Sequence, residues 1–284
     1  MDQTTSFSEP VRIADTQAVL RGTLTMPNVT PHATIVLNGA TGVPHRFYGA
    51  FAKWLADHHN IACLTYDYRD FGASVTGPMQ QSRAIMADWG VTDQQVARDW
   101  LDQRFPDVPL WVIGHSLGGF LLPFQRRLDR IARVIAVASG PVHVSDHPWP
   151  YQAMARLFWY GHGPALTRML GYLPGRFSGL GEDLPAGVYL QWRRWCTSRN
   201  FFRADFGRTL PQPRWAGVTA PVKLVALVDD PVTPPHCVWK LKEFYSGAPV
   251  ETLSINPKAH GLGRVGHLRA FSRKNAALWD DLIG

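Results

Sequence analysis

Apolar runs and apolar stripes alternate along most of this chain. Residues 21–27 read as an early strand. Residues 33–37 form an apolar strand that ends in the loop Asn38-Gly39-Ala40-Thr41-Gly42-Val43-Pro44. Phe51, Trp54 and Leu55 recur at helical spacing within residues 47–57. A strand at 61–66 runs into a turn-rich loop, residues 67–74, and Val91, Val96, Trp100 and Leu101 mark a helix over 88–103. The apolar run 109–113 then leads into Gly114-His115-Ser116-Leu117-Gly118, and the next four residues read as the start of a helix. A further apolar strand covers 133–138.

Between residues 141 and 216 the strand-like runs disappear, and Trp, Tyr, Arg, Gly and Pro become frequent. From Pro221 the alternation resumes, with a strand at 222–228, a helix at 235–245, a strand at 250–255 and mostly helix over 264–283. Strands that alternate with helices predict an α/β fold, a mostly parallel sheet with helices on both faces. The core is then residues 1–140 and 217–284, and 141–216 is an insertion.

Composition narrows the class. The chain has 284 residues, 45% hydrophobic and 18% charged, as expected of a globular protein with a large core. Its three cysteines, Cys63, Cys196 and Cys237, are odd in number and scattered, which fits neither a disulfide framework nor a zinc site. Residues 1–5 are polar with one charge, Asp2, and lack the basic-then-apolar order of a secretory leader. No apolar run is long enough for a bilayer span, so a cytoplasmic protein without membrane insertion is expected. Of the net charge of +7, the insertion carries +5, from nine arginines and no lysine against four acids. No Lys/Arg run or nucleic-acid motif accompanies it, so no nucleic-acid partner is expected. The chain also lacks His-Glu-x-x-His, a phosphate-binding Gly-Lys loop and Gly-x-Gly-x-x-Gly after a first strand, so neither a metal nor a cofactor is expected.

The run 114–118 carries the candidate chemistry. A buried strand, a sharp glycine-flanked turn and a helix form the setting of a nucleophile elbow, with Ser116 at its tip. A serine hydroxyl needs a base to take its proton, and the base needs a carboxylate to orient it. In a doubly wound sheet both should stand at the carboxyl ends of strands, in the order Ser, Asp or Glu, His. Asp229 and Asp230 follow the strand 222–228, and the rigid Pro-Val-Thr-Pro after Asp230 favours it as the fixed acid. His260 and His267 both follow the last strand. His267, just before the predicted terminal helix, is the favoured base. For a developing oxyanion the backbone N–H of Leu117 is the first donor. Ala40, with Thr41 next, is the second, from the loop after an early strand.

These motifs together resemble the α/β-hydrolase superfamily, in its serine-nucleophile branch, over nearly the whole chain. Asn38-Gly39 stands where the family usually has His-Gly. Asp67-Tyr68-Arg69-Asp70-Phe71-Gly72-Ala73-Ser74 resembles the family's Asp-x-Arg-Gly-x-Gly-x-Ser loop, with Asp70 in place of a glycine. The resemblance implies that Ser116, Asp230 and His267 form the triad and that the insertion is a helical cap over the site. Within the superfamily, Gly181-Glu182-Asp183-Leu184-Pro185-Ala186-Gly187 followed by Trp192-Arg193-Arg194-Trp195-Cys196 is similar to a bacterial group of predicted hydrolases of undefined substrate. The serine at the elbow separates the chain from family members that use an aspartate there.

Five of the 11 tryptophans lie in the insertion. Trp192 and Trp195, three residues apart on an expected helix, are candidate walls for an apolar acyl group. Thr41 and His115 are further candidates for substrate contact. The nine arginines would suit an anionic or carrier-linked acyl substrate. The function expected is hydrolysis of a carboxylic ester or thioester through an acyl-serine. Two alternatives are an acyltransferase or cyclising enzyme that uses the same acyl-serine, and a non-catalytic binding protein on the same fold.

Overall fold

The computed structural model describes residues 6–15 and 19–284, so the polar residues 1–5 lie outside the described part. In chain order the core begins with β1 (Phe7–Ala14), β2 (Val19–Met26), β3 (Ala33–Asn38), α1 (Gly49–His59), β4 (Ile61–Asp67), α2 (Gln94–Arg104), β5 (Leu110–His115) and β6 (Ile131–Val137). The intervening segment supplies α3 (Tyr151–Arg156), α4 (Gly163–Leu170), the two-residue strands β7 (Tyr172–Leu173) and β8 (Leu184–Pro185), and α5 (Ala186–Cys196). The core resumes with β9 (Val222–Leu227), α6 (Pro235–Trp239), β10 (Val250–Ile255) and α7 (Trp279–Ile283).

Eight strands form one sheet in the order β1-β2-β4-β3-β5-β6-β9-β10. The pairs β1–β2 and β2–β4 are antiparallel, and every other pair is parallel. The strand period of two sorts each central strand onto two faces. Val36, Leu64, Val112 and Leu224 pack with α2 and α6 on one side. Ile35, Cys63, Ile113 and Val225 pack with α1 and α7 on the other. Both faces are covered, which is why these strands read as continuous apolar runs.

Several elements depart from the pattern. The edge strand β1 has no counterpart in the sequence reading, because Pro10 interrupts its alternation and most of it is exposed. The helix expected after Ser116 is instead a pair of 3-10 turns, Ser116–Gly119 and Leu122–Phe124. Gly118 and Gly119 are poor helix formers and Pro123 lacks an N–H. The Tyr245 hydroxyl also donates to the Gly119 carbonyl at 2.8 Å. The long helix expected over 264–283 breaks at extended Ser272 and at Asn275, whose side-chain amide donates to the Arg269 carbonyl at 2.8 Å. Only α7 remains α-helical there.

Residues 141–216 add no strand to the main sheet among the described residues. They share one apolar cluster with a face of the sheet, through Trp159, Val188, Tyr189 and Phe202. Among the described residues no helix is long and apolar enough to cross a membrane. Asp205 locks this segment together. It accepts from Trp195 Nε1 at 2.6 Å, Gln191 Nε2 at 3.0 Å and Arg194 at 2.5 Å. Burial works against its charge, but these donors hold its carboxyl below the usual carboxylate range. Replacing Asp205 with Ala strands the buried Trp195 indole N–H, takes one of the two acceptors of the Gln191 amide and unpairs Arg194. Urea unfolding should show a loss of about 3 kcal/mol.

Candidate active site

Strand β5 carries Gly114 and His115 to the carboxyl edge of the sheet, where the chain reverses. Ser116 stands at φ +53°, a left-handed conformation that costs a residue with a side chain about 1–3 kcal/mol. The turn closes only because its neighbours are bare. A Cβ on Gly114 would lie 2.3 Å from the Gly118 carbonyl oxygen, and one on Gly118 would lie 2.1 Å from the Asn38 carbonyl oxygen. The Ser139 hydroxyl donates to the Ser116 carbonyl at 2.5 Å and holds the strained residue from behind.

The two adjacent aspartates after β9 divide their work. Asp230 accepts from His267 Nδ1 at 2.7 Å. Its other oxygen takes the backbone N–H groups of Val232 and Thr233 at 2.7 and 3.1 Å, within the Pro-Val-Thr-Pro turn. Asp229 instead accepts from the N–H groups of Val265 and Gly266, at 2.8 and 3.1 Å, and so pins the loop that presents His267. Gly266, at φ +60°, makes the turn just before the histidine. His260 lies elsewhere, 3.1 Å from Asp281. With Nδ1–H given to Asp230, a neutral His267 keeps an unprotonated Nε2.

Three sequence candidates have other tasks. His115 is fully buried and does not reach substrate space. Its Nε2 meets the His267 carbonyl at 3.0 Å, so that nitrogen carries the proton, and its Nδ1 accepts from the Tyr48 hydroxyl at 2.8 Å. The Tyr48 oxygen in turn accepts the Ala40 N–H at 2.9 Å. Ala40 is thereby withdrawn as an oxyanion donor, and Thr41, next in the loop, faces the cavity. Trp195 is buried with its indole N–H on Asp205, whereas Trp192 lines the cavity. Burial turns the two tryptophans to different uses despite their shared helical spacing.

Ser116, Leu117, Thr41 and His267 border a cavity of about 470 Å³. Phe120, Val142, Phe158, Trp159, Trp192 and Phe201 form much of its wall. No Lys, Arg, Asp or Glu lines it among the described residues. The arginines of 141–216 therefore do not point charge into this space. Arg193 donates to the Trp159 carbonyl and Arg194 pairs with Asp205.

His147, Tyr151 and His162 also line the cavity, and no motif in the sequence marks them. The Nδ1–H of His147 donates to the Pro231 carbonyl at 3.0 Å, 84 residues away, and burial favours its neutral ring. No local spacing announces that contact. The Tyr151 hydroxyl is held protonated by burial, its pKa pushed up to about 12. Cys196 reaches the cavity as a buried thiol whose pKa burial raises, so it is a packing group. Asp146, His236 and Cys237 bring three ligand-type atoms within 4.8 Å of one another. Lys240 Nζ already stands 2.7 Å from Asp146 and 3.6 Å from Cys237, and burial pushes the Cys237 thiol up to about 12. That group does not suit a metal.

Comparison with known families decides the lineage. A family model described as the alpha/beta hydrolase family matches residues 35–278. The chain belongs to the alpha/beta hydrolase family. This hydrolase-family chain superposes on solved structures at low identity. The alpha/beta hydrolase GrgF from Penicillium sp. sh18 gives a TM-score of 0.61 at 19% identity, over 98% of this chain and 97% of that one. A thermophilic esterase from Thermogutta terrifontis gives 0.55 at 15%, over 97% and 98%. Est1E from Butyrivibrio proteoclasticus gives 0.56 at 14%, over 96% and 97%. Such identities speak for a shared fold alone. No curated protein sequence matches the chain.

In this alpha/beta hydrolase the loop 67–74 shows why Asp70 is tolerated where the family has glycine. Asp70 adopts φ +55°, and its carboxylate accepts from the Ser82 hydroxyl at 2.6 Å. Aspartate enters this backbone region more readily than most residues. Asp67, at the head of the loop, accepts from the His45 and Ala73 backbone N–H groups at 2.6 and 2.8 Å.

The His115 contacts predict a pH dependence. Burial, with the neighbouring His267 ring, lowers its pKa from 6.5 to about 3. The unfolded chain therefore binds a proton that the folded chain refuses across that interval. Its stabilising contribution is complete above pH 6.5 and is lost as the pH falls, by about 1.4 kcal/mol per unit. The His115→Asn variant should be less stable than the parent at pH 7, and the gap in urea midpoint should narrow steadily toward pH 4.

Proposed function

We propose that this chain is a serine hydrolase that cleaves a carboxylic ester or thioester through an acyl-Ser116 intermediate. The observation that carries the reading is the 2.7 Å contact between His267 Nδ1 and Asp230, made at the wall of the cavity that Ser116 also borders. Ser116 Oγ attacks the acyl carbon while His267 Nε2 takes its proton. The same proton then goes to the departing alkoxide or thiolate, and water repeats the sequence to release the acid. Asp230 steadies the imidazolium. The amides of Leu117 and Thr41 receive the oxyanion, and one such donor is worth about 3 kcal/mol of barrier.

The acyl group that suits this cavity is apolar and uncharged, and its walls come largely from 141–216 acting as a cap. An anionic or carrier-linked donor would keep its charge at the mouth. A second reading, transfer of the acyl group to an alcohol or amine, is favoured by His147 and Tyr151. They offer hydrogen bonds to an acceptor molecule in a largely apolar space from which a closed cap would exclude water.

A fluorophosphonate probe should label Ser116 and leave the Ser116→Ala variant unlabelled. Asp230→Asn should lower kcat by about 10⁴ with little change in unfolding midpoint. Loss of turnover in His260→Ala but not in His267→Ala would overturn the assignment of the base. Free acid as the sole product in the presence of added alcohols and amines would remove the transfer reading.

A further inference from the structure

Eight of the thirteen large hydrophobic side chains exposed among the described residues lie between residues 149 and 190, which concentrates them on one segment. Residues 151–170 are one helical run. In it α3 passes through a π-turn (Leu157–His162) into α4, and the backbone stays right-handed at Arg156, Leu157, His162 and Gly163. At 1.5 Å per residue the run is about 30 Å long. Its inner stripe, Ala155, Trp159, Gly163 and Thr167, is buried. Its outer side carries Met154, Leu157, Tyr160 and Met169, which are 59%, 61%, 55% and 78% exposed.

The exposed charge of residues 147–181 has one sign, and the half-buried Glu182 and Asp183 that follow are engaged by Arg46 and by the Gly175 N–H. From residue 147 to residue 181 the sequence contains no Asp or Glu, but it contains Arg156, Arg168 and Arg176. All three are exposed, and none pairs with a carboxylate among the described residues, unlike Arg46 on Glu182 and Arg194 on Asp205. Met154 and Phe177, the latter 84% exposed, also line the cavity. The exposed apolar surface thus continues into the space that Ser116 borders.

We propose that this face docks on an anionic phospholipid surface, and that the acyl ester is drawn from that surface into the cavity. The second clause rests on the serine-hydrolase reading, while the docking does not. An apolar side studded with unpaired guanidiniums matches acyl chains beneath anionic headgroups. A second copy meeting the same face about a two-fold axis would set arginine against arginine. The apolar passage also lets an acyl chain enter without crossing water.

The test uses the full chain with Ser116→Ala, so that lipid is not consumed. It is mixed with extruded vesicles of phosphatidylcholine alone, or of phosphatidylcholine with an equal part of phosphatidylglycerol. The protein should sediment with the mixed vesicles, and the bound fraction should fall as NaCl is raised. Adding Leu157→Glu and Met169→Glu, two exposed positions that do not line the cavity, should weaken binding about tenfold or more. The same pair in the otherwise unchanged chain should leave turnover of a soluble short-chain ester within about twofold. Failure to sediment with the mixed vesicles, or equal sedimentation of the double variant, overturns the docking. A dimer that the double variant dissolves, without vesicle binding, assigns the face to a second copy and overturns it too. Vesicle binding without any ester turnover sinks the hydrolase reading and leaves the docking in place.

Discussion

One buried, neutral histidine ties the candidate site together. His115 is the residue just before Ser116, and its two ring nitrogens face opposite ways. One donates to the carbonyl of His267 and the other accepts from Tyr48, which itself holds the Ala40 amide. Three loops, those after β3, β5 and β10, are thereby fixed to one another. The arrangement works in one protonation state only. A charged ring would place a second N–H against a tyrosine oxygen whose own proton points at it, in a fully buried setting.

Around this bridge the charges are few and placed. Asp230 spends one oxygen on His267 and the other on two backbone amides. Asp229 spends both of its oxygens on the loop that carries His267. One aspartate thus orients the ring, and its neighbour orients the ring's backbone. The cavity beside them has largely apolar walls, and no Lys, Arg, Asp or Glu lines it among the described residues. In such surroundings a dipole aimed at a developing charge acts more strongly than it would in water. The abundant arginines lie outside, where they face backbone carbonyls, Asp205 or solvent.

The sheet was legible from the chain because its central strands are buried on both faces and read as unbroken apolar runs. The strand expected at 250–255 is β10, and the run 33–37 is β3 short of one residue. Ser116, Asp230 and His267 stood out because each follows a strand and carries its own local punctuation: flanking glycines, a Pro-Val-Thr-Pro turn, a Gly-His step. What stayed hidden depends on hydrogen-bond partners that no periodicity announces, whether 8 or 10 residues away, as at Ala40 and Trp195, or 84, as at His147. Nothing near Ala40 shows that Tyr48 takes its amide, and nothing near Trp195 shows that Asp205 takes its indole. His147 and Tyr151 enter the cavity only because the segment after β6 folds back over it. The broken terminal helix has a more local cause, since Asn275 bonds the Arg269 carbonyl where helical continuity was expected.

Acylation of Ser116 by an apolar acyl group is the step on which the proposed function turns. Intact-mass spectrometry of the protein, quenched in acid during a single turnover across a panel of ester and thioester donors, tests it directly. A mass increase equal to the acyl group less one hydrogen should appear, located at Ser116 by peptide mapping. It should be strongest for uncharged apolar chains and absent in Ser116→Ala. Turnover of those donors with no adduct at Ser116, or an adduct that survives in Ser116→Ala, would contradict it.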